Sequence, residues 1–214
     1  MSKISDDIPN QASMLEHVGV ILDLPLYWRL GLLAPDLGLW GNIRSIKALV
    51  AASSAAGIKR LTLWTMSLPR ALELEYCQQR IRGAVARLCL DLDMELAVHE
   101  SDQDVARVAT SAACVNIYLT FDGKRQVIQA LRNASSACGL PLAKRDVEAY
   151  LTTRDCSAPD LVIRTSSTKS MRGFMLWQSV GSEFWFHESF LPFSARHFHA
   201  ALRSFASRQR RHGE

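Results

Sequence analysis

Short apolar runs alternate with longer amphipathic segments from residue 17 to the end of the chain. Runs of strand length predict buried strands at residues 18–22, 59–66, 94–98, 115–119, 160–165 and 184–186. Helical periodicity predicts helices at residues 43–56, 71–92, 125–138, 144–151 and 195–211. Gly57 and Gly139 follow two of these helices, at positions where helices commonly end. The alternation predicts an α/β domain with a mostly parallel central sheet flanked by helices.

The chain shows no internal repeat and no linker. Residues 1–16 are polar and lack periodicity, so we expect a flexible N-terminal arm followed by a single domain at residues 17–214. No apolar run reaches the length that crosses a bilayer, so we expect at most a peripheral membrane contact.

The balance of charges excludes one class of partner. The net charge is +4, which suits an anionic small molecule or a membrane surface and is too small to indicate nucleic acid. The five cysteines are odd in number and show no C-x-x-C spacing. They predict reduced thiols in a cytoplasmic protein, with neither a disulfide framework nor a zinc site.

Three charged residues flank predicted strands: Asp23 follows the first strand, Arg164 ends a later one, and Glu183 precedes the last. We expect them to meet at one edge of the sheet, where α/β proteins bind ligands. Two carboxylates beside a phosphate are typical of a Mg²⁺ site, and an arginine is a natural phosphate partner. The alternative is structural: Asp23 caps a turn, and Glu183 forms an ion pair with Arg164.

The familiar phosphate-binding and hydrolase loops are missing. The chain contains no G-x-G-x-x-G, no G-x-x-x-x-G-K-[ST] and no G-x-S-x-G. Nothing in the sequence recommends Ser-His-Asp chemistry.

Five blocks in a fixed order carry a family resemblance. They are His17-Val-Gly-Val-Ile-Leu-Asp23 with Trp28, the run at 57–64, Phe121-Asp-Gly123-Lys124, the late block at 159–184, and Arg210-Arg211-His212-Gly213. These blocks resemble the cis-prenyltransferases, the family of undecaprenyl diphosphate synthase. The third block is similar to that family's N-Y-G-G-R segment, and the last resembles its terminal R-x-G motif.

The resemblance implies an α/β fold around a parallel sheet, usually in a homodimer. It implies the Mg²⁺-dependent joining of an allylic diphosphate to isopentenyl diphosphate. Asp23 would be the catalytic residue that carries the metal, and Glu183 would help to hold it. Arg164 would grip a diphosphate, with Lys169 or Arg172 replacing an arginine that the family has where this chain has Ser170. Arg211 and the backbone of Gly213 would complete that grip across the dimer.

The chain departs from the family at the first motif. Where the family reads G-N-G-R-W, this chain reads Leu24-Pro25-Leu26-Tyr27-Trp28, so the exposed backbone N–H groups and the charge for the allylic diphosphate are lost. We expect an apolar pocket there. Its predicted lining is Leu24, Tyr27, Trp28, Trp40 and Trp64. The chain between residues 94 and 115 is shorter than in the family, so a long product tunnel is not expected.

Two functions fit these features. The first is a divergent prenyltransferase that acts on short prenyl diphosphates of five to fifteen carbons and makes a short or irregular terpenoid, with cyclisation of a single substrate as a variant. The alternative is a catalytically weak binding subunit that lends its R-x-G motif to a partner's active site. The chain would accordingly form a homodimer, or a heterodimer with a second homologue.

Overall fold

The computed structural model describes residues 15–22, 35–65, 71–99, 112–119, 122–166, 168–171, 173–187 and 193–208, with the backbone alone at residues 35–42 and 71–78. Strands and helices alternate along these ranges. Their order is β1 (His17–Leu22), α1 (Pro35–Ala55), β2 (Arg60–Thr65), α2 (Ala71–Asp91), β3 (Glu95–His99), β4 (Cys114–Tyr118), α3 (Gly123–Cys138), α4 (Lys144–Glu148), β5 (Leu161–Arg164), β6 (Glu183–Phe186) and α5 (Ala195–Ala206).

The described strands form one sheet in the order β3-β4-β2-β1-β5-β6. Every pairing is parallel, which confirms the predicted α/β architecture. The carboxyl ends of all these strands therefore lie along a single edge, which we call the carboxyl edge. None of the helices in the described ranges is long and apolar enough to cross a membrane.

One face of the sheet carries the main hydrocarbon core. Val18, Val20, Leu61 and Leu63 project from the central strands, and helices α1, α2 and α5 cover them. The apolar positions of α5 recur at Phe198, Ala201, Leu202 and Phe205, the spacing that places residues on one side of a helix. We call this side of the sheet the apolar face.

The opposite side, the polar face, buries side chains that form hydrogen bonds. Among them are His17, Thr62, Asn116 and Arg164, each no more than 2% exposed. His17 shows how they are satisfied. Its Nδ1 lies 2.9 Å from the carbonyl oxygen of Ser157, which can only accept, so Nδ1–H is the donor there. Its Nε2 lies 2.8 Å from the Thr62 hydroxyl, which donates to it when the ring is neutral. Burial lowers the pKa of His17 to about 4.

Helix α3 covers part of the polar face. Asp122 caps its start by accepting from the backbone N–H groups of Lys124 and Arg125 at 3.0 and 3.4 Å. Its buried side includes Gln126 and Ala130, whereas Ile128 points to solvent. A small cluster of Ala130, Val147 and Leu151 packs α3 against α4. A short segment at residues 173–178 lies between this layer and the sheet.

The predicted elements agree with the structure apart from their ends. Helix α1 begins at Pro35, well before the predicted residue 43, and proline is common at the first position of a helix. Helix α5 ends at Ala206, short of the predicted residue 211. Leu15, which was predicted to lie in the flexible arm, is 4% exposed and belongs to the core. The rest of the predicted arm, residues 1–14, lies outside the described residues.

Candidate functional site

A single row of side chains crosses the sheet near its carboxyl edge on the polar face. The strand registers place one residue from each strand at the same level. In sheet order they are His99, Tyr118, Trp64, Ile21, Arg164 and Phe186. Since ligands of α/β proteins bind outside this edge, the row is the floor beneath any site there.

The row is built mainly of aromatic rings in contact with one another. His99 lies flat on Tyr118 with ring centroids 4.1 Å apart, and Tyr118 meets Trp64 at 5.3 Å. Phe174 stands edge-on to Trp64 at 5.4 Å. The Tyr118 hydroxyl lies 3.4 Å from Cys156 Sγ, and burial raises the pKa of both groups. His99, Tyr118, Trp64 and Phe174 are each no more than 1% exposed, so this part of the floor is closed to solvent.

Trp64 therefore has a different environment from the predicted one. It was expected to line an apolar substrate pocket, but only 1% of it is exposed, and it packs between Tyr118 and Phe174. The structure gives Trp64 a packing role in the floor. A place for it in a pocket wall stays a prediction.

Arg164 is the charged member of the row and is also almost fully buried, at 1% exposure. Its Nη1 donates to the carbonyl oxygen of Ser170. The next residue, Thr165, uses both its backbone N–H and its hydroxyl to donate to the carbonyl oxygen of Ile21, at 3.1 and 3.3 Å. A buried guanidinium requires such acceptors. Arg164 thus ties β5 to the following loop, and Thr165 ties the start of that loop to β1.

That loop, which we call the arginine loop, comprises the described residues 165–166 and 168–171. It contains a tight turn in which the backbone N–H of Ser170 donates to Thr168 O at 3.0 Å. Lys169 lies at this turn and is exposed. The structure therefore brings a buried cation, Arg164, and an exposed one, Lys169, into one loop at the carboxyl edge. An anion is the ligand that such a loop can hold.

Glu183 does not lie at this edge, and the expectation that it meets Arg164 there is wrong for a single chain. Glu183 begins β6 and pairs in register with Leu161, whereas Arg164 pairs with Phe186. This places the two residues about 10 Å apart along the strand direction. Their side chains also alternate to opposite faces, since Trp185 packs with the apolar core and Phe184 with the polar-face cluster.

The partner of Glu183 is Arg208, which sequence reasoning missed. Arg208 Nη1 lies 2.9 Å from Glu183 Oε2 and also donates to the Phe184 carbonyl at 2.9 Å. The structural alternative predicted an ion pair between Glu183 and Arg164. Glu183 does form an ion pair, but with Arg208. The contact fastens the end of α5 to β6, and only the placement of α5 on this strand brings the two residues together.

The described residues do not fit a Mg²⁺ site within one chain. No group of three or more His, Cys, Asp or Glu residues converges among them. Of the two predicted ligands only Glu183 is described, and its carboxylate is engaged by Arg208. The remaining predicted site residues lie outside the described residues. They are Asp23, Leu24, Tyr27, Trp28, Arg172, Arg211 and Gly213, together with the side chain of Trp40.

Two glycines near the arginine loop were noted in sequence only as parts of motifs. An added Cβ on Gly123 would lie 1.8 Å from the Gly173 carbonyl oxygen, and one on Gly19 would lie 2.4 Å from Phe174 Cζ. These contacts join segments that are far apart in sequence. No local periodicity could have revealed them.

Comparison with known proteins agrees with this geometry. The profile of a family described as "Putative undecaprenyl diphosphate synthase" matches residues 69–213. The match begins after residues 23–28, where the chain departs from the family's pattern. A (2Z,6E)-farnesyl diphosphate synthase of Thermobifida fusca is 35% identical over 92% of this chain and 89% of its own length. An isoprenyl transferase of Streptomyces fradiae is 31% identical over 92% and 90%.

A solved structure shares the fold. Lavandulyl diphosphate synthase from Lavandula x intermedia, crystallised with dimethylallyl diphosphate, superposes with a TM-score of 0.76 at 23% identity, over 96% of this chain and 100% of that one. The parallel sheet, the late block around Arg164 and the matches in sequence lead to one conclusion: this chain belongs to the undecaprenyl diphosphate synthase family of prenyltransferases.

Proposed function

We propose that the chain transfers prenyl groups between short prenyl diphosphates of five to fifteen carbons, in a Mg²⁺-dependent reaction that yields a short or irregular terpenoid. Membership of the family supports prenyl transfer. A relative named as a (2Z,6E)-farnesyl diphosphate synthase, 35% identical, supports short substrates. The observation that carries the proposal is the arginine loop, which combines Arg164 and Lys169 at the carboxyl edge above a dry aromatic floor.

The chemistry needs a fixed positive charge beside a diphosphate. An allylic diphosphate ionises only if the charge of the departing group is neutralised, and preorganised cations do this best in a water-excluded site. Arg164 holds the loop in shape through Ser170, and the exposed ammonium of Lys169 is free to approach a phosphate oxygen. We expect the hydrocarbon of the substrate to contact Leu24, Tyr27, Trp28 and Trp40.

The same proposal includes a dimer in which each chain completes the other's site. Arg208 holds the end of α5 at the amino end of β6, beside Glu183. The tail that carries Arg211 and Gly213 therefore starts away from its own arginine loop. This supports delivery of Arg211 and the backbone of Gly213 to a second copy, where they would complete the grip on the diphosphate. Strand β6 lies at the edge of the described sheet, which suits it to an interface.

The binding-subunit alternative rests on the same placement of the C-terminal tail, because a donated R-x-G motif also serves a different partner chain. Loss of the family's first motif at Leu24 to Tyr27 favours it as well. In that case the chain would be inactive alone. Among the described side chains Cys89, Cys114, Cys138 and Cys156 are free thiols, which supports a reducing, cytoplasmic compartment for either function.

The test is turnover by the purified chain with Mg²⁺ and labelled dimethylallyl, geranyl and isopentenyl diphosphates. We expect product, its loss in Asp23→Ala and after removal of Mg²⁺ with EDTA, and a KM for isopentenyl diphosphate raised about tenfold in Lys169→Ala. Lys144→Ala is the matched control, since Lys144 is exposed and pairs with Glu148 on its own helix.

Mixing experiments separate the two functions. If Asp23→Ala and Arg211→Ala variants are inactive alone but active after co-expression, each chain completes the other's site. Turnover that appears only with a homologous partner chain identifies the binding subunit. No product under any of these conditions overturns the enzyme proposal.

A further inference from the structure

The backbone of Gly173 crosses the start of α3 in direct contact. A Cβ built on Gly123 would lie 1.8 Å from the carbonyl oxygen of Gly173 and 2.8 Å from its carbonyl carbon. Gly173 has a φ of +81°, in the region that glycine favours, and a Cβ on it would lie 3.2 Å from the backbone nitrogen of Gly123. A side chain on Gly123 therefore requires the two segments to separate, whereas one on Gly173 requires a strained backbone and a shift of a few tenths of an ångström.

The neighbouring residue makes a second contact of the same kind. The Phe174 ring lies directly on Gly19 of β1, where an added Cβ would be 2.4 Å from Cζ and 2.8 Å from Cε1. Phe174 is fully buried and edge-on to Trp64. Gly173 and Phe174 are thus fixed at once to the first turn of α3 and to the middle of the sheet.

These contacts close the arginine loop at its far end. Its near end is held by Thr165, which donates twice to Ile21 O, and its middle by Arg164, which donates to Ser170 O. Before the crossing, the backbone N–H of Phe174 donates to Met171 O at 2.9 Å. The loop that presents Lys169 is therefore fastened at both ends and at its centre.

We infer that Gly123 and Gly173 are positioning residues, whose backbone contact sets the distance of the arginine loop from the sheet and so the place where its cations meet a diphosphate. This inference rests on the proposed function. Real Cβ atoms essentially never approach other heavy atoms within 3.0 Å, so a methyl group on Gly123 moves the Gly173 segment by more than 1 Å. A displacement of about 1 Å costs up to about a hundredfold when reacting groups depend on exact placement.

The experiment compares Gly123→Ala with two matched glycine substitutions. Gly57 has a φ of +71° and nothing within 4 Å of an added Cβ, so Gly57→Ala strains the backbone without displacing a neighbour. Gly83 lies in α2, and an added Cβ there also meets nothing within 4 Å. The dissociation constants of isopentenyl diphosphate and of inorganic pyrophosphate are measured by calorimetry on the full chain, after circular dichroism confirms folding.

We expect Gly123→Ala to weaken binding of both probes at least tenfold and to raise the KM for isopentenyl diphosphate more than it lowers kcat. Gly57→Ala and Gly83→Ala bind within twofold of the parent chain, although the first also lowers the unfolding midpoint. Binding by folded Gly123→Ala within twofold of the parent overturns the inference. If that variant does not fold, Gly173→Ala, whose closest new contact is the milder 3.2 Å, takes its place.

Hydrogen exchange separates failure of this inference from failure of the proposed function. The amides of residues 168–171 are expected to exchange faster in Gly123→Ala than in Gly57→Ala, with no ligand present. If the parent chain binds neither probe, the proposed function fails. Faster exchange in Gly123→Ala would still show that the contact between Gly123 and Gly173 holds the arginine loop in place. Unchanged exchange at these amides overturns the inference regardless of binding.

Discussion

The buried imidazole of His17 makes the stability of this chain depend on pH. The ring is 2% exposed and uses both nitrogens, donating from Nδ1 to Ser157 O and accepting at Nε2 from Thr62. Burial is the main cause that lowers the pKa of His17 from 6.5 to about 4; the positive charge of Arg60 acts in the same direction, and the Ser157 carbonyl and Asp160 act against it. A proton on Nε2 would also require the Thr62 hydroxyl to turn its hydrogen away.

The sign follows from which state binds the proton. Between about pH 4 and pH 6.5 the unfolded chain binds a proton at His17 and the folded chain does not, so the free energy of unfolding rises with pH in this window. The contribution is complete above about pH 6.5 and is lost as the pH falls towards 4. The full shift corresponds to about 3.4 kcal/mol, of which about 1.8 kcal/mol is lost between pH 7 and pH 5.

The measurement is urea denaturation of the parent chain and of His17→Gln at several values between pH 5 and pH 8. The variant is less stable at pH 7, since it loses a fitted ring, but it lacks the titration. We therefore expect the stability difference between the two proteins to shrink by about 1.8 kcal/mol from pH 7 to pH 5. A difference that stays constant to within about 0.3 kcal/mol over this range would refute the reasoning.

Three further predictions concern packing, the ion pair and thiol reactivity. Phe174→Ala removes a fully buried ring and is expected to lower the free energy of unfolding by about 3–5 kcal/mol. Val180→Ala, at an 87% exposed position, is the control and is expected to change it by less than about 0.5 kcal/mol. Equal effects of the two substitutions in urea denaturation would contradict the packing described. A double-mutant cycle of Glu183→Gln and Arg208→Gln should give a coupling free energy of about 0.5–1 kcal/mol that weakens in high salt. A coupling of zero would show that the ion pair does not stabilise the fold. After iodoacetamide treatment of the native chain at pH 8, peptide mapping should show the exposed Cys138 alkylated and Cys156 unmodified, because burial raises the pKa of Cys156 to about 11. Early labelling of Cys156 would contradict its burial in the native chain.

The strands could be predicted because each is a short run rich in apolar residues, branched-chain in most strands and aromatic in β6. The error at Glu183 came from treating the two ends of a strand as equivalent. In a parallel sheet the first residue of one strand and the last residue of its neighbour lie at opposite edges, and Glu183 begins β6 whereas Arg164 ends β5. The alternation along β2 predicts that Trp64 and Leu63 lie on opposite faces of the sheet. Which segments cover each face depends on tertiary packing and could not be read from this alternation.

The candidate site was predictable only where a residue acts from its own strand. The position of Arg164 at a carboxyl end follows from the apolar run that it closes. The pairing of Arg208 with Glu183 depends on where α5 packs, and the contact of Gly123 with Gly173 depends on a crossing of two segments well separated in the chain. Neither leaves a periodic signal, because both are products of tertiary packing.

The two faces of the sheet impose different rules on sequence change. On the apolar face the side chains of Val20, Leu63 and their neighbours belong to the hydrophobic core, so substitutions there are limited by volume and can be compensated by a neighbour of complementary size. On the polar face a substitution at His17, Thr62 or Arg164 leaves a buried hydrogen-bond partner unsatisfied, and the geometry of that bond restricts which residue can replace it. Relatives of this chain should therefore exchange apolar residues of compensating size on one side of the sheet and change hydrogen-bonded partners together on the other.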